Sequence, residues 1–91
     1  MTDSNMADKY AILIVDTDAD YADVLAESLS RGDVNALAVH SASGAADLIE
    51  QRFFDVVITD LNLGDENING IDILKAARQS NPDCQVILTA A

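Results

Sequence analysis

The stretch AILIVDTDADYADVLAE, Ala11 to Glu27, passes from an unbroken apolar run directly into acidic residues. The apolar part is rich in Ile and Val and does not alternate with polar residues, a pattern typical of a parallel strand covered on both faces. The run ends at Asp16, and Asp18 and Asp20 follow at alternate positions. The stretch therefore predicts a strand whose carboxyl end carries a cluster of acids.

Three further apolar runs predict three further strands: VNALAV from Val34, FDVVIT from Phe54 and QVILT from Gln85. Segments with helical periodicity separate the four runs, which gives the order βαβαβαβ. Such an alternation specifies one parallel sheet with right-handed crossovers. The predicted class is α/β, a doubly wound parallel sheet. If its strand order is the flavodoxin-like one, the first and third strands are neighbours, and Asp16 and Asp60 would share one crevice at the carboxyl ends of the strands.

The connecting segments carry their own signals. The first predicted helix has an apolar stripe, and the third has another; their members are Tyr21, Val24, Leu25, Ser28 and Leu29, then Ile71, Leu74 and Ala77. Ser43 is the predicted N-cap of the second helix. Phe53 and Phe54 are predicted to pack at the entry to the third strand.

Composition limits the possible functions. Ninety-one residues with 49% hydrophobic side chains predict one small domain, residues 10–91, preceded by a loose polar tail over residues 1–9. The formal net charge of -11 argues against direct contact with nucleic acid or an anionic membrane, since both need a positive patch. A single cysteine, Cys84, excludes an internal disulfide and is expected to be a small buried thiol. No apolar run reaches the ~20 residues of a membrane span, and a cytoplasmic location is expected.

Two interpretations of the aspartates treat them as a local motif. The acids match the ligand positions of a calcium loop, but Tyr21 stands where that loop needs glycine for its sharp turn. DTDAD also resembles the first motif of the haloacid-dehalogenase-like phosphatases, whose first aspartate is the nucleophile and whose second is the acid/base. That family usually has Thr or Val where this chain has Asp20, and its later motifs have no match. It stays the distant enzyme alternative.

A third interpretation uses several strand ends at once. ILIVDTDADY, FDVVITDLNLGDENINGIDIL and QVILTAA together resemble the receiver domain of bacterial response regulators, from Ala11 to Ala91. The resemblance implies that Asp60 accepts a phosphoryl group from a histidine kinase or a phosphotransfer protein. It also implies a Mg²⁺ site formed by Asp16, Asp60 and the backbone carbonyl of Asn62. Thr89 resembles the switch hydroxyl at the end of the fourth strand.

The chain departs from the family pattern at three places. Thr17 occupies the position of the second metal-binding acid, and Asp18 beside it could reach the ion through water. Gly70 stands ten residues after Asp60, farther than is common in the family, and Gly64 takes the usual proline position. The sequence stops after the fourth strand, where the family has a fifth strand, two further helices and an active-site lysine.

These features leave two hypotheses from different classes. The first is a phosphorylatable switch, which is not a turnover enzyme. The second is a non-phosphorylated pseudo-receiver that serves only for protein docking, favoured by Thr17 and by the missing lysine. The stop after strand four predicts the N-terminal portion of a longer regulator with a C-terminal output domain. It also predicts self-association through the bare edge of that strand.

Overall fold

The computed structural model describes residues 10–90, so the predicted tail over residues 1–9 and Ala91 lie outside the described residues. Four strands and three helices follow in the predicted order: β1 Tyr10–Val15, α1 Ala19–Leu29, β2 Val34–Val39, α2 Ala42–Gln51, β3 Val56–Asp60, α3 Gly70–Ser80 and β4 Gln85–Thr89. The predicted βαβαβαβ alternation is confirmed.

The four strands form one parallel sheet in the order β2-β1-β3-β4. This order places β1 and β3 side by side, which is the neighbour relation that the flavodoxin-like prediction required. In the register, Val15 of β1 is opposite both Val39 of β2 and Thr59 of β3. Asp16 directly follows Val15 at the end of β1, and Asp60 directly follows Thr59 as the last residue of β3.

The core consists of two apolar layers, one on each face of the sheet. Leu13 and Val15 of β1 belong to the larger layer, which α2 and α3 cover, whereas Ile14 faces the smaller layer beneath α1. Burial on both faces explains why β1 is apolar at every position rather than at every second one. Removing a side chain such as Leu13 from water stabilises the fold by about 2 kcal/mol.

Helix α1 packs through small residues, and the apolar stripe predicted for it is wrong in part. Ala22 and Ala26 are buried against the sheet, while Tyr21 is 53% and Val24 is 63% exposed. Alanines four residues apart let the helix lie close to the sheet, and this contact turns the larger side chains toward solvent. Leu25 and Leu29 do pack against the smaller layer, as predicted.

Two further local predictions need correction. The N-cap of α2 is Ser41, whose side chain accepts the N–H of Gly44, and Ser43 lies within the helix. Both serines are good caps, and the one next to the end of β2 takes the role. Phe54 is buried, but Phe53 is 73% exposed, because successive residues of an extended chain point to opposite sides.

In α3 the buried positions are Gly70, Ile73 and Ala77, so Ala77 is placed as predicted, while Ile71 is partly exposed.

β4 is the least covered strand. Within residues 10–90, Val86 packs on the larger layer, whereas Ile87 is 52% and Leu88 is 37% exposed. β4 is therefore covered less completely than the other three strands of the sheet.

Cys84 precedes β4 and is buried in the larger layer, as predicted. Burial raises the pKa of its thiol, because the charged thiolate loses its hydration there. The reactive form is thereby disfavoured near neutral pH.

Among the described helices, none is both long and apolar enough to cross a lipid bilayer.

Candidate functional site

The candidate site lies at the carboxyl ends of the two central strands. Asp16 follows β1 directly and Asp60 is the last residue of β3. Since Val15 and Thr59 are register partners, the two aspartates are the next pair along neighbouring strands, whose backbones run about 4.8 Å apart. Both are partly buried. The structure thus brings together the two predicted acids that are most distant in sequence.

The β1–α1 loop orients Asp16 and uses the side chain of Asp18 to cap α1. The N–H of Asp16 donates to the carbonyl of Val39 at 3.2 Å, and its Oδ1 accepts the N–H of Asp18 at 2.9 Å. The side chain of Asp18 accepts the N–H of Tyr21 at 3.2 Å and is the N-cap of α1. Thr17 between them is exposed. Asp18 therefore has a structural role in addition to the water-mediated one predicted for it.

A hydroxyl from the fourth strand completes the site. Thr89 is opposite Asp60 in the register of β3 and β4. Its Oγ1 lies 3.4 Å from Oδ1 of Asp60 and 3.5 Å from the carbonyl oxygen of Thr59. Both contacts are long for hydroxyl hydrogen bonds, so they direct the hydroxyl toward the acid without holding it firmly. An open depression of about 290 Å³ adjoins this point, lined by Asp60, Leu61, Asn62 and Ala90.

The long loop after Asp60 is organised by side chains that bind its own backbone. Oδ1 of Asn62 accepts the N–H of Gly64 at 3.0 Å, and Gly64 has a φ of 68°, which glycine adopts without strain. Oδ1 of Asp65 accepts the N–H groups of Asn67 and Ile68. These turns accommodate the added length on the surface. Asn62 is exposed at the rim of the depression.

The donor atoms fit a hard divalent cation with few protein ligands. Mg²⁺ is usually bound by one or two carboxylates and keeps several waters, and Asp16 and Asp60 supply two carboxylates from adjacent strands. In the part of the chain that the structure describes, no three His, Cys, Asp or Glu side chains form a metal-binding group. Asp16 and Asp60 are thus the two side chains that could hold the ion, and water and the predicted carbonyl of Asn62 would complete the shell.

Sequence reasoning missed one polar pair near the site. His40, which directly follows β2, contacts Asp23 of α1 with 2.9 Å between Nε2 and Oδ1. Both side chains are well exposed, so the pair contributes at most about 1 kcal/mol. The residues lie far apart in sequence, and nothing in the local pattern could indicate their contact.

The sheet order and the paired acids at its central strand ends define a receiver-type α/β domain. The chain belongs to the response regulator receiver domain family, whose sequence profile it matches over residues 12–91. It is accordingly a receiver domain of a two-component response regulator. This agrees with the resemblance seen in the sequence.

Curated relatives give the same result. The chain is 34% identical over 79 residues to the transcriptional regulatory protein CpxR of Escherichia coli K12. The aligned segment covers 87% of the chain and 33% of CpxR. It is 29% identical over 84 residues to the transcriptional regulatory protein ZraR of Escherichia coli O157:H7, covering 92% of the chain and 19% of ZraR. The chain thus spans a third or less of the length of these relatives.

Solved structures confirm the fold. A response regulator protein from Burkholderia pseudomallei, solved with a phosphorylated aspartic acid, a calcium ion and citrate, matches with a TM-score of 0.78 and 23% identity, over 90% of this chain and 47% of that one. The non-phosphorylated HemR receiver domain from Leptospira biflexa matches with a TM-score of 0.75 and 26% identity, over 91% of this chain and 65% of that one.

Proposed function

We propose that this chain is a phosphoryl-accepting switch in which Asp60 receives a phosphoryl group from a histidine kinase or a phosphotransfer protein, with Mg²⁺ as cofactor. The observation that carries the proposal is the convergence of Asp60, Asp16 and Thr89 from three strands at one edge of the sheet. The open depression beside Asp60 leaves room for a donor to approach.

The chemistry follows from the groups at this edge. An oxygen of the Asp60 carboxylate attacks phosphorus, a new P–O bond forms, and the bond from phosphorus to the donor's leaving atom breaks with its electron pair remaining on that atom. The attack brings negative groups together, which is unfavourable unless the charge is offset. A bound Mg²⁺ would supply that positive charge. Asp16 and Asp60 would hold it.

The product accounts for a switch. A phosphorylated aspartate carries added negative charge and strong acceptor oxygens. The Thr89 hydroxyl already points at Asp60 from 3.4 Å and can donate to a phosphoryl oxygen placed there. Such a bond would draw the end of β4 toward β3. In a longer regulator the shift would reach an output domain, and the location we propose for this chemistry is the cytoplasm.

The docking alternative rests on Thr17. A hydroxyl is a poorer magnesium ligand than a carboxylate, so the site could be too weak for phosphoryl transfer and the domain would then act only by binding partners. The phosphatase alternative has less support, because Asp18, which would have to act as acid/base, instead caps α1.

Mass spectrometry after incubation with a small phosphodonor and Mg²⁺ tests the proposal. We expect a mass increase of one phosphoryl group, located at Asp60 by fragmentation and prevented by a chelator. A receiver domain known to accept the same donor is the positive control. If that control is modified and this chain is not, phosphoryl acceptance by these 91 residues is contradicted and the docking alternative is favoured.

The second prediction concerns the metal site. Thr17→Asp should tighten Mg²⁺ binding about tenfold, because it adds a charged oxygen beside Asp16, and tenfold corresponds to about 1.4 kcal/mol. A ligand of the folded state raises apparent stability, so melting temperature measured against Mg²⁺ concentration reports the change. Thr17→Asn is the matched neutral control and should behave like the wild type. Equal melting temperatures with and without millimolar Mg²⁺, for the wild type and Thr17→Asp alike, would disprove the site.

A further inference from the structure

We infer that Thr59 is a positioning residue for Asp60, holding the main chain of the acceptor through its buried hydroxyl. The inference rests on the proposed function of Asp60. Thr59 is 0% exposed and is the buried polar residue of the region that the structure describes. Its neighbour along the same face of β3, Val57, shows that this layer accepts a β-branched apolar side chain. Packing alone would therefore be satisfied by valine at position 59.

The hydroxyl has one short hydrogen bond, and its partner belongs to the acceptor. Oγ1 of Thr59 donates to the carbonyl oxygen of Asp60 at 3.0 Å. A buried hydroxyl without a partner would be costly, and this contact satisfies it. The bond restrains the peptide unit that joins Asp60 to Leu61.

The same peptide unit is held from two other directions. A Cβ on Gly70 would lie 2.5 Å from the carbonyl oxygen of Asp60, so α3 begins against this carbonyl and leaves no room for a side chain. The N–H of Leu61, which belongs to this unit, donates to the carbonyl of Thr89 at 2.8 Å, and the N–H of Gly70 donates to the carbonyl of Leu61 in the next unit at 2.8 Å. A capping box of Asn69 and Asp72 fixes the start of α3.

Fixing this unit restrains the ψ angle of Asp60 and with it the direction of the acceptor side chain. A reaction is faster when the attacking atom is held in the direction of attack before the donor arrives. Thr59 is fully buried and does not line the depression, so its effect would pass through Asp60. Its loss should lower the maximal phosphorylation rate and leave the half-saturating donor concentration unchanged.

Two substitutions at Thr59 separate positioning from packing. Thr59→Val keeps the shape and removes the hydroxyl, and we expect the maximal rate to fall roughly fivefold, the loss of about one hydrogen bond, with a fall in melting temperature no larger than that of Thr59→Ser. Thr59→Ser keeps the hydroxyl and removes a buried methyl, so the rate should stay near wild type while the melting temperature falls by about 5 °C. A rate that follows melting temperature in both variants would overturn the inference.

Gly70→Ala approaches the same carbonyl from the other side and should lower the maximal rate about tenfold, because a Cβ there displaces the peptide unit. Gly44→Ala is the control: its Cβ would also be crowded, at 2.8 Å by the side chain of Val39 and at 2.9 Å by Oγ of Ser41, but by no atom near Asp60. Hydrogen exchange of the Leu61 N–H is an independent measurement, expected to be faster in Thr59→Val. If the wild type accepts no phosphate, the proposed function fails. If the Leu61 N–H exchanges at the same rate in Thr59→Val as in the wild type, the positioning role of Thr59 fails.

Discussion

Replacing Asp60 with asparagine should abolish phosphoryl transfer to this chain, with a rate at least ~100-fold below wild type. The amide has nearly the same shape as the carboxylate, but it has no negative charge and is too weak a nucleophile to form an acyl phosphate. It would also remove one of the two carboxylates that we propose as Mg²⁺ ligands. Intact-mass measurement over a time course with a small phosphodonor gives the rate directly.

Two variants of neighbouring acids are the controls for Asp60→Asn. Asp18→Asn should keep the rate within about twofold, because asparagine caps a helix as well as aspartate does, and the site retains both carboxylates predicted to bind the metal directly. Asp16→Asn should lower the rate about tenfold at limiting Mg²⁺ and less at high Mg²⁺, since it weakens the metal site without touching the nucleophile. Phosphate that appears on Asp60→Asn at the wild-type rate would assign the acceptor to another residue.

The strands could be predicted because their signal is local. β2 and β4 have the bounds that VNALAV and QVILT indicated, and β3 is displaced by two residues at its start. The helical faces were harder to predict. Tyr21 and Val24 have the period of a buried stripe, but Ala22 and Ala26 have it too. Periodicity cannot decide between a large-residue face and a small-residue face when close approach to the sheet favours the small one.

The paired acids of the site were predictable from topology, and the supporting atoms were not. Parallel order places the ends of β1 and β3 together, so Asp16 and Asp60 follow from the strand assignment. The roles of Thr59 and Gly70 depend on one carbonyl oxygen approached by residues from both sides of a loop. A threonine in a strand and a glycine before a helix are both common, so neither stands out in the sequence.

The edges of the sheet differ in how well they are protected. At β2, Oγ of Ser30 accepts the N–H of Ala36 at 3.0 Å and donates to its carbonyl at 3.3 Å. One hydroxyl thereby occupies both outward-facing groups of the middle of that strand. At β4, Ile87 and Leu88 are exposed on the two faces of the strand, and no further described strand pairs with it. Any pairing between sheets should therefore occur at β4.

A polypeptide of these 91 residues is expected to self-associate through β4, because an exposed apolar edge is a template for another strand. Ile87→Lys should shift the population toward monomer at micromolar concentration, since pairing would then bring like charges together and bury them. Ser30→Ala should increase association by opening the edge of β2, which makes it the matched opposite variant. Sedimentation velocity over a range of concentrations measures both changes. If the 91 residues and both variants are monodisperse monomers that melt cooperatively, β4 does not mediate self-association.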